Sequence, residues 1–425
     1  MATTSSQTSA QQAAAQALAT FLELAREYPV FQPQGSFALA SAGGASPVSF
    51  PNPIPTESVW ARRIELFTTL NLTITVPASG SFTVSPLAPF SAIRSTFGIN
   101  NQAYWTDVPA TAHWLDDMTL TRTLDASFNG QSDGGGNYPN ATGQAYLYSY
   151  TANYAPGTTV TNSGTASEVL TVKYVFAVPI RLQRYIRRPF GLVPLGDPDN
   201  RPNILVNLNG LVGTDPAKSL LVNASAGVTA TTSATVASTC AAIYPALEIS
   251  LLPQGATASP VPTVGLGLQV NEVDSQGLTA GVKYPLKHRT AFIYERIIGI
   301  LESGQVPVEP DYVGLEPTDS ERSALWTYTV DNNNMADKYR LDRDRYHRLL
   351  PLGCQIVDLS SNDFPDLPNA SPSVNEMTPS INLAAALPGL IPTPAMQTRW
   401  RLPAGNAGTN PLLEAYEFGL APVGY

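Results

Sequence analysis

The sequence predicts an all-β protein built from packed β-sandwiches, and three observations carry that reading. Only 13% of its 425 residues are charged, where an average soluble domain has roughly 25%. Its 37 prolines and 31 glycines are spread along the chain, as turns between many strands require. Apolar residues recur at every second position in several segments, and a period of two puts alternate side chains on opposite faces of a strand. Antiparallel strands with one apolar face must pack in pairs, which makes a sandwich. A chain of this length is expected to form two domains.

The first element is the exception. Residues 10–28 read as a helix, with Ala14, Leu18, Phe21, Ala25 and Tyr28 recurring at spacings of three and four. Glu23, Arg26 and Glu27 lie off that stripe, and Pro29 ends it. An extended arm rich in Pro, Gly, Ser and Ala follows from Val30 to Pro55. Alternation then takes over. Ile64, Leu66, Leu70, Leu72, Ile74 and Val76 face one way; Glu65, Thr69, Asn71, Thr73 and Thr75 face the other. The same pattern marks Leu170–Val178, Ile204–Leu208, Val264–Val270 and Trp326–Val330. Short helical pieces are expected near Phe90–Phe97 and Arg181–Arg187, the second aligning Arg181, Arg184 and Arg188 on one face.

Two stretches read as elaborate loops. Residues 125–165 carry seven glycines and only two charges, Asp125 and Asp133. That length exceeds the usual ~4–6 residues several-fold and predicts an outward excursion, with Tyr146, Tyr148 and Tyr150 marking a strand of its own. The stretch between Lys218 and Glu248 has no charged residue and is mostly Ala, Ser, Thr and Val. Such a surface is expected to be buried against a neighbouring subunit. No internal sequence repeat is visible.

Composition and motifs exclude most chemistry. A formal charge of −9 argues against a nucleic-acid surface, which is normally basic. Cys240 and Cys354 are expected to be separate thiols. No basic side chain precedes Arg26, so no secretory signal is expected, and no run of ~18 apolar residues predicts a membrane span. His113, His288 and His347 lack partners at ligand spacing, which predicts no metal site. Asp116-Asp117 would point to opposite faces of a strand and so could not flank one scissile bond. Asp197-Pro-Asp199-Asn200 reads as a turn, and Asp133-Gly-Gly-Gly-Asn137 lacks the Lys-Ser/Thr of a phosphate loop. Five basic and three acidic residues alternate in Asp337–Arg348, which suits either ion pairing or a solvated face. No catalytic, cofactor-binding or metal-ligating residue is assigned.

The order of these features resembles the double jelly-roll major capsid proteins of tectivirus-type bacteriophages. A Gln/Ala-rich N-terminal helix ends at Tyr28-Pro29-Val30, and an arm enters the long strand Arg62–Val76. Pro86–Phe97 is similar to that family's Pro-rich turn and short helix, and Tyr104–Trp114 to its aromatic segment. Glu168–Pro179, running into Val-Pro and then a strand at Asn203–Leu208, is the strongest local match. Leu325–Asn334 and the ending Leu412–Phe418 also look similar. The resemblance implies residues 1–55 as helix and arm, 56–278 as a first jelly roll with long inserted loops at about 125–165 and 215–262, and 279–425 as a second. It further implies a non-enzymatic virion protein without cofactor, whose homotrimers tile an icosahedral shell around an internal membrane. Its implied partners are neighbouring capsomers, minor capsid and vertex proteins and peripherally the membrane, after synthesis in the host cytoplasm. The other readings are a carbohydrate-binding or carbohydrate-active sandwich, and a vertex or receptor-binding virion component.

Overall fold

The computed structural model describes residues 17–29 with gaps, 37–39, 45–49, 60–99, 102–121, 157–184, 190–194, 202–208, 216–243, 266–287, 293–303, 306–308, 312–317, 326–329, 353–358, 396–402 and 411–422, with Tyr154 and Pro310. The N-terminal half contains β1 (Tyr28–Pro29), β2 (Phe37–Leu39), β3 (Ala45–Ser49), β4 (Trp60–Val76), β5 (Ser81–Val84), β6 (Ile93–Ile99) and β7 (Gln102–Pro109). A helix at Ala110–Thr121 follows, then β8 (Thr159–Thr161), β9 (Glu168–Arg181), β10 (Val193–Pro194) and β11 (Pro202–Leu208). A short helix at Pro216–Leu220 precedes β12 (Leu221–Val222) and β13 (Thr229–Ile243). The C-terminal half runs through β14 (Leu266–Gly277), β15 (Tyr284–Lys287), β16 (Ile293–Ser303), β17 (Val306–Pro307) and β18 (Tyr312–Pro317). It ends with β19 (Trp326–Thr329), β20 (Cys354–Asp358), β21 (Met396–Arg401) and β22 (Pro411–Pro422).

Strand order reveals a repeat that the sequence hides. Within the N-terminal half, the first sheet runs β2-β13-β4-β9 and the facing one β3-β11-β6-β7. Within the C-terminal half, the sheets run β14-β22-β16-β20 and β15-β21-β18-β19. Counting these principal strands along each half, both halves place the first, eighth, third and sixth in one sheet. The second, seventh, fourth and fifth make the other. Two sandwiches of identical connectivity therefore lie in tandem, and the pairings that build these sheets are antiparallel.

The long strand behaves as its alternation predicts. Ile64, Leu66, Leu70, Leu72, Ile74 and Val76 are buried, while Phe67 and Thr73 are exposed. It pairs along its length with β9 on one edge and β13 on the other. By contrast, β16 shows no alternation because both its faces are covered. Ile298 and Ile300 join the core cluster that extends through the first sandwich. Gly299, between them, backs onto Trp400 of β21 inside the second.

Several expectations are corrected. The helical stretch ends earlier than Pro29: among described residues Leu24 is the last helical one, and Tyr28-Pro29 pair with Ala242 and Ala241. The arm is not free, since β2 and β3 are the first two strands of the first sandwich. Phe90–Phe97 is a 3-10 turn at Phe90–Ala92 followed by a strand. Arg181 closes β9 and residues 182–184 are not helical, so no helical face carries Arg181 and Arg184. The uncharged stretch after Lys218 is largely β13, whose Thr232, Ala234 and Val236 are buried within its own sandwich. Burial inside the sandwich accounts for one face of this strand, where small and β-branched residues fill a pleated surface, while Thr229, Thr231 and Ser233 on its other face are exposed. Pairing with β22 also puts β14 in the second sandwich, ahead of the expected boundary at 279. The expectations for 125–153, Arg188, 197–200 and 337–348, and those for His288 and His347, lie outside the described residues.

The described helical residues near the N-terminus dock on the first sandwich. Phe21, Leu22 and Ala25 bury against Leu192, with Leu18 and Trp60 packed beside them. Arg62 anchors the end of this segment, donating from Nη1 to the Ala25 carbonyl at 3.1 Å and from Nη2 to that of Leu22.

Candidate functional site

The most chemically distinctive place lies where the two sandwiches meet. The helix Ala110–Thr121 begins directly after Pro109 and carries Trp114 on one side, stacked on Phe90 at 4.7 Å between ring centroids. Phe90 in turn meets Phe176 of β9 edge-on. These aromatics fix the helix to the first sandwich. Its other side turns toward the second: His113 meets Phe418 of β22 edge-on at 5.8 Å, and Trp105 of β7 at 5.1 Å.

Asp116 and Asp117 lie on this helix rather than in a strand. Successive helical residues are about 100° apart, so the two carboxylates serve different arginines. Arg184 donates from Nη1 and Nη2 to the two Asp116 oxygens, both at 2.6 Å, and from Nε to Glu295 Oε2 at 2.5 Å. Arg296 Nη1 donates to Asp116 Oδ1 at 3.2 Å, and Arg181 Nε to Asp117 Oδ1 at 2.9 Å. Asp116, Asp117, Arg184, Glu295 and Arg296 are all buried. Three guanidinium groups thus meet three carboxylates, and Glu295 and Arg296 belong to β16 of the other sandwich.

Electrostatics follow the geometry. Burial by itself would raise the Asp116 carboxyl; Arg184, then Arg296, outweigh it and hold the group below its usual value. Burial drops His113 to about 3, with Asp116 opposing and Arg184 adding, so its imidazole is neutral at physiological pH. Its Nε2 lies 3.4 Å from Ser95 Oγ, which accepts from Trp105 Nε1 at 3.1 Å. His113 is thus a packing residue between the two sandwiches. Among the described residues no group of three His, Cys, Asp or Glu is arranged to hold a metal.

A second polar cluster crosses the same seam. Arg94 of β6 donates from Nε to the Asp107 carbonyl at 2.9 Å, from Nη2 to Tyr416 Oη at 2.9 Å and from Nη1 to Glu414 Oε2 at 3.3 Å. The Tyr416 hydroxyl donates to the same Glu414 oxygen at 2.5 Å. Asp107 sits at a φ of 51°, in the left-handed region that Asp tolerates, with its N–H donating to Thr96 Oγ1. Burial pushes Glu414 up, with Arg94 and Tyr416 opposing. Glu302 of β16 is raised to about 8, first by burial and then by Glu414.

That shift sets a pH dependence. An unfolded Glu302 loses its proton near its ordinary value of 4.5, while the folded one keeps it to about 8. The folded state therefore binds more protons between these values, and stability falls as pH rises through the window, by at most about 1.4 kcal/mol per pH unit. Glu302→Gln should flatten the decline and leave the variant more stable than the parent at pH 8 and above. Urea midpoints measured from pH 5 to 8.5 check this; parallel curves for the two proteins would show that Glu302 titrates normally.

No protein-family profile and no curated protein matches this chain. Solved structures do. The major capsid protein of Sulfolobus turreted icosahedral virus superposes with a TM-score of 0.50 at 14% identity, covering 92% of this chain and 95% of that one. The fold is a double jelly roll. The atomic structure of the same virus gives 0.48 at 15% identity over 93% and 90% of the two chains. The mavirus major capsid protein gives 0.41 at 11% over 92% and 86%.

Within the double jelly roll, the seam residues have one evident task. Arg–carboxylate bonds are directional and, when buried, tolerate little displacement. The hydrophobic cluster that spans both rolls, including Ile298, Ile300, Tyr416 and Phe418 beside Phe97 and Trp105, supplies cohesion without direction. Together they hold two rolls in one orientation. Sequence reasoning missed Arg94, Glu295, Arg296, Glu414 and Tyr416. The available signal was charge inside otherwise apolar strands, Ile293-Tyr-Glu-Arg-Ile-Ile and Leu412-Leu-Glu-Ala-Tyr-Glu-Phe.

Proposed function

We propose that this chain is a structural virion protein, a major capsid protein whose homotrimers tile an icosahedral shell, and that it is not an enzyme. The carrying observation is the pair of identically connected jelly rolls joined by a buried, directional seam. A shell tile needs that: two similar bodies in one chain, held at a constant angle. The fold shared with a viral coat protein over nearly the whole of both chains supports the same reading. Fold by itself does not assign function; the seam supports the tile reading because its directional bonds fix one roll against the other.

In this reading the first roll spans Phe37–Ile243 and the second Leu266–Pro422. A shell around an internal membrane, as in the tectivirus-type phages, is the finer form of the proposal. Phe21, Leu22 and Ala25 are buried against Leu192 beside Trp60, which leaves minor capsid proteins and neighbouring capsomers as better partners for this end than lipid. Purified protein should run as a trimer at micromolar concentration by size exclusion with light scattering, and electron microscopy should show three-fold, six-lobed particles. A clean monomer would overturn the proposal.

A further inference from the structure

We infer that one end of the seam is a proton-operated joint: a neutral Glu302 lets the two rolls close there, and its ionised carboxylate parts them while each roll stays folded. Charge balance distinguishes the two ends. At the helix end, three guanidinium groups meet three carboxylates, and that clamp is neutral as a unit. At the other end Arg94 is the guanidinium that reaches across from the first roll. Its bonds are spent on Asp107 at 3.1 Å, Glu414 at 3.3 Å and the Tyr416 hydroxyl at 2.9 Å. Asp107 is partly wetted, its side chain 44% exposed. Glu302 is the surplus acid: it is buried, and its Oε2 has no hydrogen-bond partner.

Register places Glu302 opposite Leu412 of β22, so Glu414, two residues on, is its diagonal neighbour on the same face. Such neighbours lie about 7–8 Å apart, within reach of two long side chains. Ile300, two residues before Glu302 on that face, belongs to the core cluster that joins the rolls. The other titratable groups described on this side of the seam are Arg296 on β16 itself, Tyr416 on β22, Glu272 on β14, Cys354 on β20, Asp107 on β7 and His113 on the helix Ala110–Thr121; β17 has none. Arg296 is committed to Asp116, His113 is neutral, and Glu272 is exposed. Among the described residues Arg94 is then the one cation for Glu302 and Glu414 together. One guanidinium does not neutralise two buried carboxylates, so one of them stays protonated while the seam is closed.

In water Glu302 loses its proton near 4.5, while in the closed seam burial, and then Glu414, keep it to about 8. The closed joint therefore holds one more proton than the open one between these values. Its opening constant rises by up to about tenfold per pH unit through this window and levels off above it. Parting the rolls here hydrates Glu302 without breaking a strand ladder, because Arg94 meets Glu414 and Tyr416 through side chains. The balanced clamp gains nothing from alkali: Arg184 and Arg296 hold the Asp116 carboxyl below its usual value, so it is ionised across the whole window. That clamp is the hinge about which the other end opens. One chain suffices for this, whatever copies of it build.

Cys354 supplies the readout, since it is buried in the seam cluster, opposite Ile300 in register. The full chain carrying Cys240→Ser, which leaves one thiol, is labelled with a maleimide from pH 6 to 9. Rates are corrected for the thiolate fraction and compared with those of the same chain carrying Glu302→Gln or Glu302→Leu. Labelling should accelerate about tenfold per pH unit from 6 to 8 and level off above that. It should also run ahead of the rate that global unfolding, measured in urea, allows, and both variants should give flat profiles. Labelling no faster than global unfolding would mean that the rolls part only when the chain unfolds, which overturns the joint. Variants that keep the parent's pH profile overturn Glu302 as its trigger. A profile shifted by calcium or by a chelator would assign the neutralisation to a bound cation and overturn the proton as the operator.

Discussion

Asp116→Ala should lower the stability of the folded protein by about 3–5 kcal/mol, the usual result of removing one partner from a buried ion pair. Arg184 would keep Glu295 but lose two hydrogen bonds of 2.6 Å, and its guanidinium is fully buried. Arg296 would lose its 3.2 Å bond to the same carboxylate. The cost measures an uncompensated charge rather than the net worth of the pair. Replacing both partners, Asp116→Leu with Arg184→Met, should therefore recover most of the loss, because Glu295 and Arg296 already lie 3.9 Å apart and can neutralise each other. What the double variant should lose is orientation: in the proposed coat role, trimers would form less completely even where the urea midpoint is restored. An Asp116→Ala protein within about 1 kcal/mol of the parent would mean the seam is hydrated in solution.

Gly299→Ala should cost about 2–3 kcal/mol, at the upper end for added volume in a packed core. A Cβ at this position would lie 2.3 Å from Trp400 Cη2 and 2.6 Å from its Cζ3, so the indole must move. That ring is fully buried, and its Nε1 donates to Thr398 Oγ1 at 3.2 Å, which leaves it little freedom. Trp400→Phe removes the atoms that clash. Combined with Gly299→Ala it should cost at least about 1 kcal/mol less than the two changes summed, a coupling typical of residues in direct contact. Additive losses in urea unfolding would show that Gly299 is chosen for its backbone and not for the space above it.

Legibility of the fold tracked solvent exposure. The strands β4 and β9 could be read because water wets one face of each, and the resulting alternation of Thr with Leu, Ile or Val is a direct imprint of burial. β16 gave no such imprint, since with both faces covered Glu295, Arg296, Ile297 and Ile298 are buried alike, and such a run has no period to read. β13 misled for the opposite reason: Ala, Ser and Thr fill both its faces, so its strand character depends on pairing with β4 rather than on its own residues. Asp116 and Asp117 were read with the wrong period. The helix that carries them is held by Trp114 stacking on Phe90, a contact with no signature in the local sequence.

By itself, then, the sequence predicted an all-β chain of two sandwiches with an apolar helix at the start. These follow from composition and from periods of two or four residues, which are local quantities. Tertiary structure decided the rest. The bonds from Arg184 to Asp116 and Glu295 and from Arg296 to Asp116 join residues 68, 111 and 180 positions apart. Whether a charged residue becomes a wet surface or a buried clamp depends on what folds over it, and for these arginines that is the other jelly roll.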